Sequence, residues 1–225
     1  MDISSLLTEE LSAAIQRIQR SLVVIRDGRR YASRGMGAGV VWQRGLVLTN
    51  YHVVKHARTS GVSLPDGGEF SARLIAAHPA IDLALLQIDD DRTPPAMIAD
   101  SRILRVGQYV MAIGHPWGER GLVTGGVISG LGALDTGYRR GPVEIIRTDV
   151  HLAPGNSGGP LVNMSGAVIG LNTMIVGGDL GVAVPSHVAS AFVQRVLAPK
   201  GDLQPGEEPR YSYQQTGRPE ARRLL

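Results

Sequence analysis

The sequence predicts an all-β protein made of two antiparallel β-barrels or sandwiches. Three observations point there. Glycine supplies 29 of the 225 residues and proline 13, punctuation that suits short strands and tight turns better than long helices. The apolar residues fall into about a dozen short runs bounded by such turns. Those runs form two sets, separated by the acidic, proline-bearing link from Asp89-Asp90-Asp91 to Pro94-Pro95.

Taken in order, residues 8–20 carry the pattern of an amphipathic helix. Thr8 is placed to cap it, Glu9 and Glu10 lie in its first turn, and Arg17 and Arg20 in its last. Leu11, Ala14, Ile15 and Ile18 recur at helical spacing and give one face to bury. The polar face is mixed in charge, which favours packing on the domain over lying on a membrane. The first strand set is LVVIR (22–26), GAGVVW (37–42), LVLTN (46–50), GVSL (61–64), FSARLIAA (70–77) and LALLQI (83–88). The acidic triplet that follows has no ligand spacing around it and reads as a solvated loop rather than a cation site. The second set is QYVMAIG (108–114), LVTGGVISGL (122–131), VEIIRTD (143–149), LVN (161–163), AVIGLNTMI (167–175) and LGVAVP (180–185). Ser186 is placed to cap a last helix whose Val188, Ala191, Phe192 and Leu197 face inward. The expected organisation is a helical segment over 1–20, a first barrel over 21–105, a second barrel with its helix over 106–199, and a disordered tail over 200–225.

Composition excludes several classes of function. The formal charge is only +3, and no basic run is interleaved with aromatics. Arg29-Arg30, Arg139-Arg140 and Arg222-Arg223 read as solvated surface, so nucleic acid is not an expected partner. Without cysteine there is no disulfide, thiolate nucleophile or Cys-ligated metal. Six scattered histidines lack ligand spacing, so neither a metal nor another cofactor is expected. The opening MDISSLLTEE has no basic stretch followed by an apolar one, and no apolar run approaches the roughly 20 residues that span a bilayer. The expectation is a soluble cytoplasmic protein with no membrane span.

The stretch PGNSGGPLV (154–162) carries the chemistry. Gly155, Gly158 and Gly159 surround Ser157 and permit a tight turn that presents its hydroxyl outward. On such a turn the N–H groups of Gly155 and Ser157, with Asn156 between them, converge on one spot, as an acyl-transfer oxyanion requires. A serine hydroxyl needs an adjacent base. LTNYHVV (48–54) puts His52 just after a strand, and IDLALLQI (81–88) puts Asp82 just before one. A partly buried carboxylate there can fix the imidazole tautomer and steady the imidazolium.

These motifs together resemble the trypsin-like serine proteases: Thr49-Asn50-x-His52-Val53, Asp82-Leu83-Ala84-Leu85-Leu86 and Gly155 through Leu161, in the order His, Asp, Ser. The resemblance is closest to the HtrA/Deg branch, through Ala112-Ile113-Gly114-x-Pro116, Thr148-Asp149, GLNT (170–173) and GVAVPS (181–186), and it runs from about residue 15 to about 197. It implies two six-stranded barrels with a cleft between them, an N-terminal and a C-terminal helix, and a serine endopeptidase acting on polypeptides, with unfolded ones expected. His52, Asp82 and Ser157 would be catalytic, and Gly155, Asn156 and Ser157 would form the oxyanion hole, with the Gly155 and Ser157 N–H groups as its donors. Leu152, five before the serine, would line the pocket for the residue preceding the cut, with Asn172 and Thr173 forming another wall. No aspartate sits where a basic side chain would need it, so a small or medium aliphatic residue is expected there, with modest discrimination. The relatives commonly trimerise and usually carry PDZ domains after the protease; a homo-oligomer is an open expectation, and no PDZ segment follows here.

Two rival readings exist. Gly155-Asn156-Ser157-Gly158-Gly159 also fits the G-x-S-x-G elbow of α/β-hydrolases, with Asp179 and His187 following in that fold's order. The elbow needs a helix after its serine, whereas Gly, Pro and a β-like run follow. The second rival is a protease-fold protein held latent by the loops 115–121 and 133–142, acting as a peptide-binding or chaperone module. His151, six before Ser157, is a candidate for contact with substrate, but a packed or solvated histidine is the preferred reading.

Overall fold

Asp2, rather than Thr8, starts the first helix in the computed structural model of the chain. Helix α1 runs Ile3–Gln19, with the Asp2 side chain accepting from the Ser4 N–H at 2.6 Å. Two capping residues compete, and the earlier one wins because the helical pattern extends upstream. Thr8 is left inside the helix, its hydroxyl donating back to the Ser4 carbonyl at 2.9 Å. The structure describes residues 2–27, 36–56, 60–116, 119–135, 141–176 and 180–199. The 200–225 tail, Asp179 and the three arginine pairs of the sequence analysis lie outside them.

Six strands close the first barrel: β1 (Leu22–Asp27), β2 (Met36–Gln43), β3 (Leu46–Thr49), β4 (Ser60–Ser63), β5 (Glu69–His78) and β6 (Leu83–Gln87). Their spatial order is β1-β2-β3-β6-β5-β4, and β4 returns to pair with β1, Val24 opposite Ser63. The second barrel uses β7 (Tyr109–Gly114), β8 (Leu122–Leu134), β9 (Val143–Thr148), β10 (Pro160–Val162), β11 (Val168–Val176) and β12 (Leu180–Pro185). Its order is β7-β8-β9-β12-β11-β10, closed by β10 on β7. The two barrels therefore share one strand order. All neighbouring pairs are antiparallel, and closure leaves neither barrel with an open edge.

Burial explains why many strands read as unbroken apolar runs instead of strict alternation. Along β6, Ala84 and Leu86 fill the first barrel, while Leu83 and Leu85 face the opposite way into the core shared with the second barrel. Along β7, Val110 and Ala112 fill the second barrel, and Met111 and Ile113 join the shared core. Both faces of these strands are buried, so both are apolar. Each of the larger side chains among them (Leu, Val, Ile or Met) contributes on the order of 2 kcal/mol by leaving water. The two helices seal the shared core from outside, α1 through Ile18 and α3 (Ser186–Leu197) through Ala189, Phe192 and Val193. Ala14 of α1 meets the turn at Gly166, where a β-carbon would sit 2.5 Å from the Ala14 carbonyl oxygen.

Two local expectations are corrected. Asp90, in the middle of the acidic triplet, is buried and accepts from the Arg92 and Thr93 N–H groups, an Asx-type turn rather than a fully solvated loop. Pro185 takes the N-cap position of α3, and the Ser186 hydroxyl donates instead to the Ala99 carbonyl at 2.6 Å, tying the helix to the link between barrels.

Candidate active site

His52 lies in α2 (Tyr51–Val54), a single helical turn that follows β3 directly. Asp82 ends a 3-10 turn (Pro79–Ile81) at the start of β6, which pairs with β3. Strand pairing thus brings the histidine and the carboxylate side by side. Asp82 has φ 53, the only non-glycine with positive φ among the described residues. Aspartate tolerates this conformation better than most side chains, at a cost of order 1 kcal/mol. The strained backbone is held by two bonds to its carbonyl, from the Tyr51 N–H at 3.1 Å and from the Asn50 side-chain amide at 3.0 Å.

The Asp82 carboxylate grips His52 twice. One oxygen accepts the His52 backbone N–H at 2.9 Å, and the other faces His52 Nδ1 at 2.7 Å. A carboxylate opposite Nδ1 assigns the proton to that nitrogen and leaves Nε2 as the acceptor. The second oxygen also accepts the Thr173 hydroxyl, which comes from β11 of the other barrel. Asp82 is mostly buried, its side chain 17% exposed against 38% for His52.

Ser157 follows a tight turn. The Asn156 N–H bonds the Ala153 carbonyl at 2.9 Å, with Pro154 second and Gly155 third in the turn. Gly155 has φ +110, the positive value a type II turn requires at that place. Next, Gly158 (φ +80) donates to the Asn172 carbonyl, and the Ser157 carbonyl accepts from Ala38 of the first barrel at 2.8 Å. A β-carbon on Gly158 would lie 2.2 Å from both the Ala38 carbonyl oxygen and the Thr49 hydroxyl oxygen. The turn that carries the serine therefore packs directly against the first barrel.

The Ser157 hydroxyl donates to the Thr173 carbonyl at 3.3 Å, and no hydrogen bond joins it to His52. One rotation about the Cα–Cβ bond re-aims this oxygen, and such bonds are commonly unformed in ligand-free sites. The N–H groups of Gly155 and Ser157 take no partner among the described residues, while the Asn156 N–H is committed to the turn. The Asn156 side chain is buried with its carbonyl oxygen unbonded.

The remaining sequence candidates behave differently from one another. Leu152 is buried in the core of the second barrel with Val150, Ile169 and Ala183. Asn172 is buried too, and its amide donates to the Gly159 and Pro160 carbonyls at 3.2 and 2.9 Å, bracing the segment after the serine. Thr173 reaches Asp82, a contact across 91 positions that the sequence reading missed and that no local sequence signal gives. His151 is exposed. His187 stays away from the site, facing Ser101 at 2.8 Å and Glu144 at 3.2 Å. Ser157 is followed by β10 and not a helix, which removes the α/β-hydrolase reading. Residues 117–118 and 136–140 of the two candidate latency loops lie outside the described residues.

His115 backs the serine turn. Its N–H donates to the Gly155 carbonyl at 3.1 Å, and its Nδ1 accepts from the Gly121 N–H at 3.2 Å. Burial pushes its pKa down to about 4; the Val23 carbonyl partly offsets this, and the Arg120 guanidinium adds to it. The ring is neutral at pH 7.

Residues 37–171 match the trypsin-like peptidase domain family. A probable periplasmic serine protease, do/HhoA-like, of Haemophilus influenzae is 43% identical over 173 residues, covering 73% of this chain and 37% of the relative. The periplasmic pH-dependent serine endoprotease DegQ of Escherichia coli is 40% identical over 171 residues, 72% of this chain and 37% of its own length. Among solved structures, the HtrA-type protease AlgW with a tripeptide superposes with a TM-score of 0.75 at 34% identity, covering 83% of this chain and 63% of that one. The chain thus spans little more than a third of the length of these curated relatives. They overturn the cytoplasmic expectation, since both are named periplasmic. The physical ground for that expectation was thin, because a secretory leader is removed from a mature chain and a cysteine-free protein is at home in either redox compartment. Among the described residues no helix is long and apolar enough to cross a membrane.

Proposed function

This chain belongs to the trypsin-like peptidases, in their HtrA/Deg branch, and on that footing we propose that it is a serine endopeptidase with His52, Asp82 and Ser157 as its triad. The single observation that carries the reading is the double grip of Asp82 on His52, with Ser157 held across the seam between the barrels.

Ser157 Oγ attacks the peptide carbonyl as His52 Nε2 takes its proton; the same nitrogen then returns the proton to the leaving amine. Asp82 holds the imidazole and balances its transient charge. The free N–H groups of Gly155 and Ser157 receive the oxyanion, a contribution of about 3 kcal/mol per donor in comparable sites. Water then hydrolyses the acyl-enzyme by the same route. The substrates are unfolded polypeptides met in the periplasm, cut after small or medium aliphatic residues, with Leu152 and the strand at Thr173 bounding the pocket. Residues 21–105 supply His52 and Asp82, residues 106–199 supply Ser157, and the working form is a homo-oligomer, a trimer as is common among relatives.

Labelling with a fluorophosphonate probe tests the reading, with casein digestion alongside. Wild type labels and cleaves, and Ser157→Ala does neither. One observation favours a second reading, a latent enzyme or peptide-binding module: the Ser157 hydroxyl rests on the Thr173 carbonyl. Wild type that stays unlabelled until a denatured polypeptide is added supports latency, and wild type that binds such a polypeptide yet never labels supports the binding module.

A further inference from the structure

A cavity of about 210 Å³ lies where the end of α1, strand β1, the end of β4 and the loop entering β8 meet. Leu22, Val24, Leu64 and Pro65 give it an apolar wall. Among the described residues, Arg120 is the one side chain charged at neutral pH that lines it, since the His115 ring is neutral there. The Arg120 guanidinium makes a single long bond, 3.4 Å to the Leu64 carbonyl, and no carboxylate lies within ion-pair distance among the described residues. Asp66, next to Pro65 in this wall, accepts the Gly68 N–H at 2.9 Å, Glu69 is held by Ser63 and Arg26, and neither they nor Glu119, the neighbour of Arg120 in sequence, pairs with the guanidinium. A guanidinium carries five donors, so most of this fork is unused beside an apolar wall.

We infer that this cavity binds a small aliphatic carboxylate, its anion on the Arg120 fork and its alkyl group against Leu22, Val24 and Leu64. Planar guanidinium donors match a carboxylate in charge and geometry, and the wall rewards a branched alkyl chain over a bare anion. Occupancy is felt at the active site through His115, which lines the cavity and whose N–H holds the Gly155 carbonyl at 3.1 Å. A β-carbon on Gly155 would lie 2.4 Å from the His115 carbonyl oxygen, so the two backbones are in contact and move together. This coupling rests on the oxyanion role proposed for Gly155; the binding does not.

Calorimetry of the full chain with isocaproate tests the site, with isocaproamide and acetate as controls. Isocaproate binds saturably with a Kd on the order of 1 mM, and the amide and acetate bind at least about tenfold more weakly. Arg120→Gln, at an exposed position, keeps the fold and loses about tenfold for isocaproate while leaving the amide unchanged. The site is overturned if the amide matches the acid, if acetate matches isocaproate, if Arg120→Gln binds as wild type does, or if no saturable heat appears below about 50 mM. Fluorophosphonate labelling of Ser157 with and without saturating isocaproate reads the coupling: a severalfold change in rate supports it, and an unchanged rate with proven binding removes it. Wild type that never labels sinks the protease reading, while the calorimetry still decides the site.

Discussion

The Thr173 hydroxyl, carried by the second barrel, donates to the Asp82 carboxylate of the first. The acid that orients His52 is thereby positioned from both barrels at once. Its second oxygen is shared between His52 Nδ1 and this hydroxyl, so losing the threonine loosens the imidazole without unpairing it. A hydrogen bond to a charged group is worth about 1.5–3 kcal/mol. Thr173→Val is expected to lower kcat by about 10- to 100-fold with KM little changed, and Thr173→Ser to restore most of it. A Val variant with wild-type kcat would leave the hydroxyl no part in positioning Asp82.

Asp82 itself supplies a sharper test. An amide in its place keeps the shape but can offer its N–H₂ to His52 Nδ1, which forces the proton to Nε2 and removes the base. Asp82→Asn is expected to fold with an unchanged melting temperature, within about 2–4 °C, yet to lose roughly 10³- to 10⁴-fold in fluorophosphonate labelling rate. A loss under tenfold at intact stability would mean that His52 does not depend on this carboxylate.

Gly158 is where the seam between barrels leaves no space. Its φ of +80 disfavours any β-carbon, and such a carbon would meet the Ala38 carbonyl oxygen and Thr49 Oγ1 at 2.2 Å. Both are immobile, one being backbone and the other bonded to Ala38 at 2.7 Å. Gly158→Ala is expected to destabilise the fold by at least about 2 kcal/mol, whereas Gly141→Ala, also at positive φ but with nothing within 4 Å, costs about 1 kcal/mol. Urea midpoints of the two variants separate strain from collision, and equal losses would remove the seam as the cause.

The strands and the cluster around the serine were legible because their signals are local. A turn residue, an apolar run and a histidine just beyond a strand end are all read within a few positions. What escaped depends on distance along the chain. Thr173 reaches Asp82 across 91 positions, and nothing near either residue announces the pairing. The shared strand order of the barrels is likewise a matter of which strand returns to which edge. The start of α1 was misjudged for a different reason: Asp2 and Thr8 are both good caps, and only the packed helix decides between them. The Ser157 hydroxyl on the Thr173 carbonyl is a rotamer choice, to which sequence is blind.

His115 makes stability depend on acid in a definite direction. Its pKa falls from 6.5 to about 4 on folding, chiefly through burial, with Arg120 adding to the shift and the Val23 carbonyl opposing it. Between those values the unfolded chain holds a proton on this ring and the folded chain does not. Lowering the pH through that window therefore favours unfolding, and the loss levels off below about pH 4, where both states are protonated. A shift of this size corresponds to something on the order of 3 kcal/mol across the window. Below it, the protonated ring would also have to give up Nδ1 as the acceptor for the Gly121 N–H, loosening the loop that backs Gly155. His115→Asn retains an acceptor and does not titrate. Urea unfolding at pH 7, 5.5 and 4.5 is expected to show wild type losing stability more steeply than His115→Asn, by about 2 kcal/mol over that range. Parallel curves for the two proteins would assign the acid sensitivity to other groups.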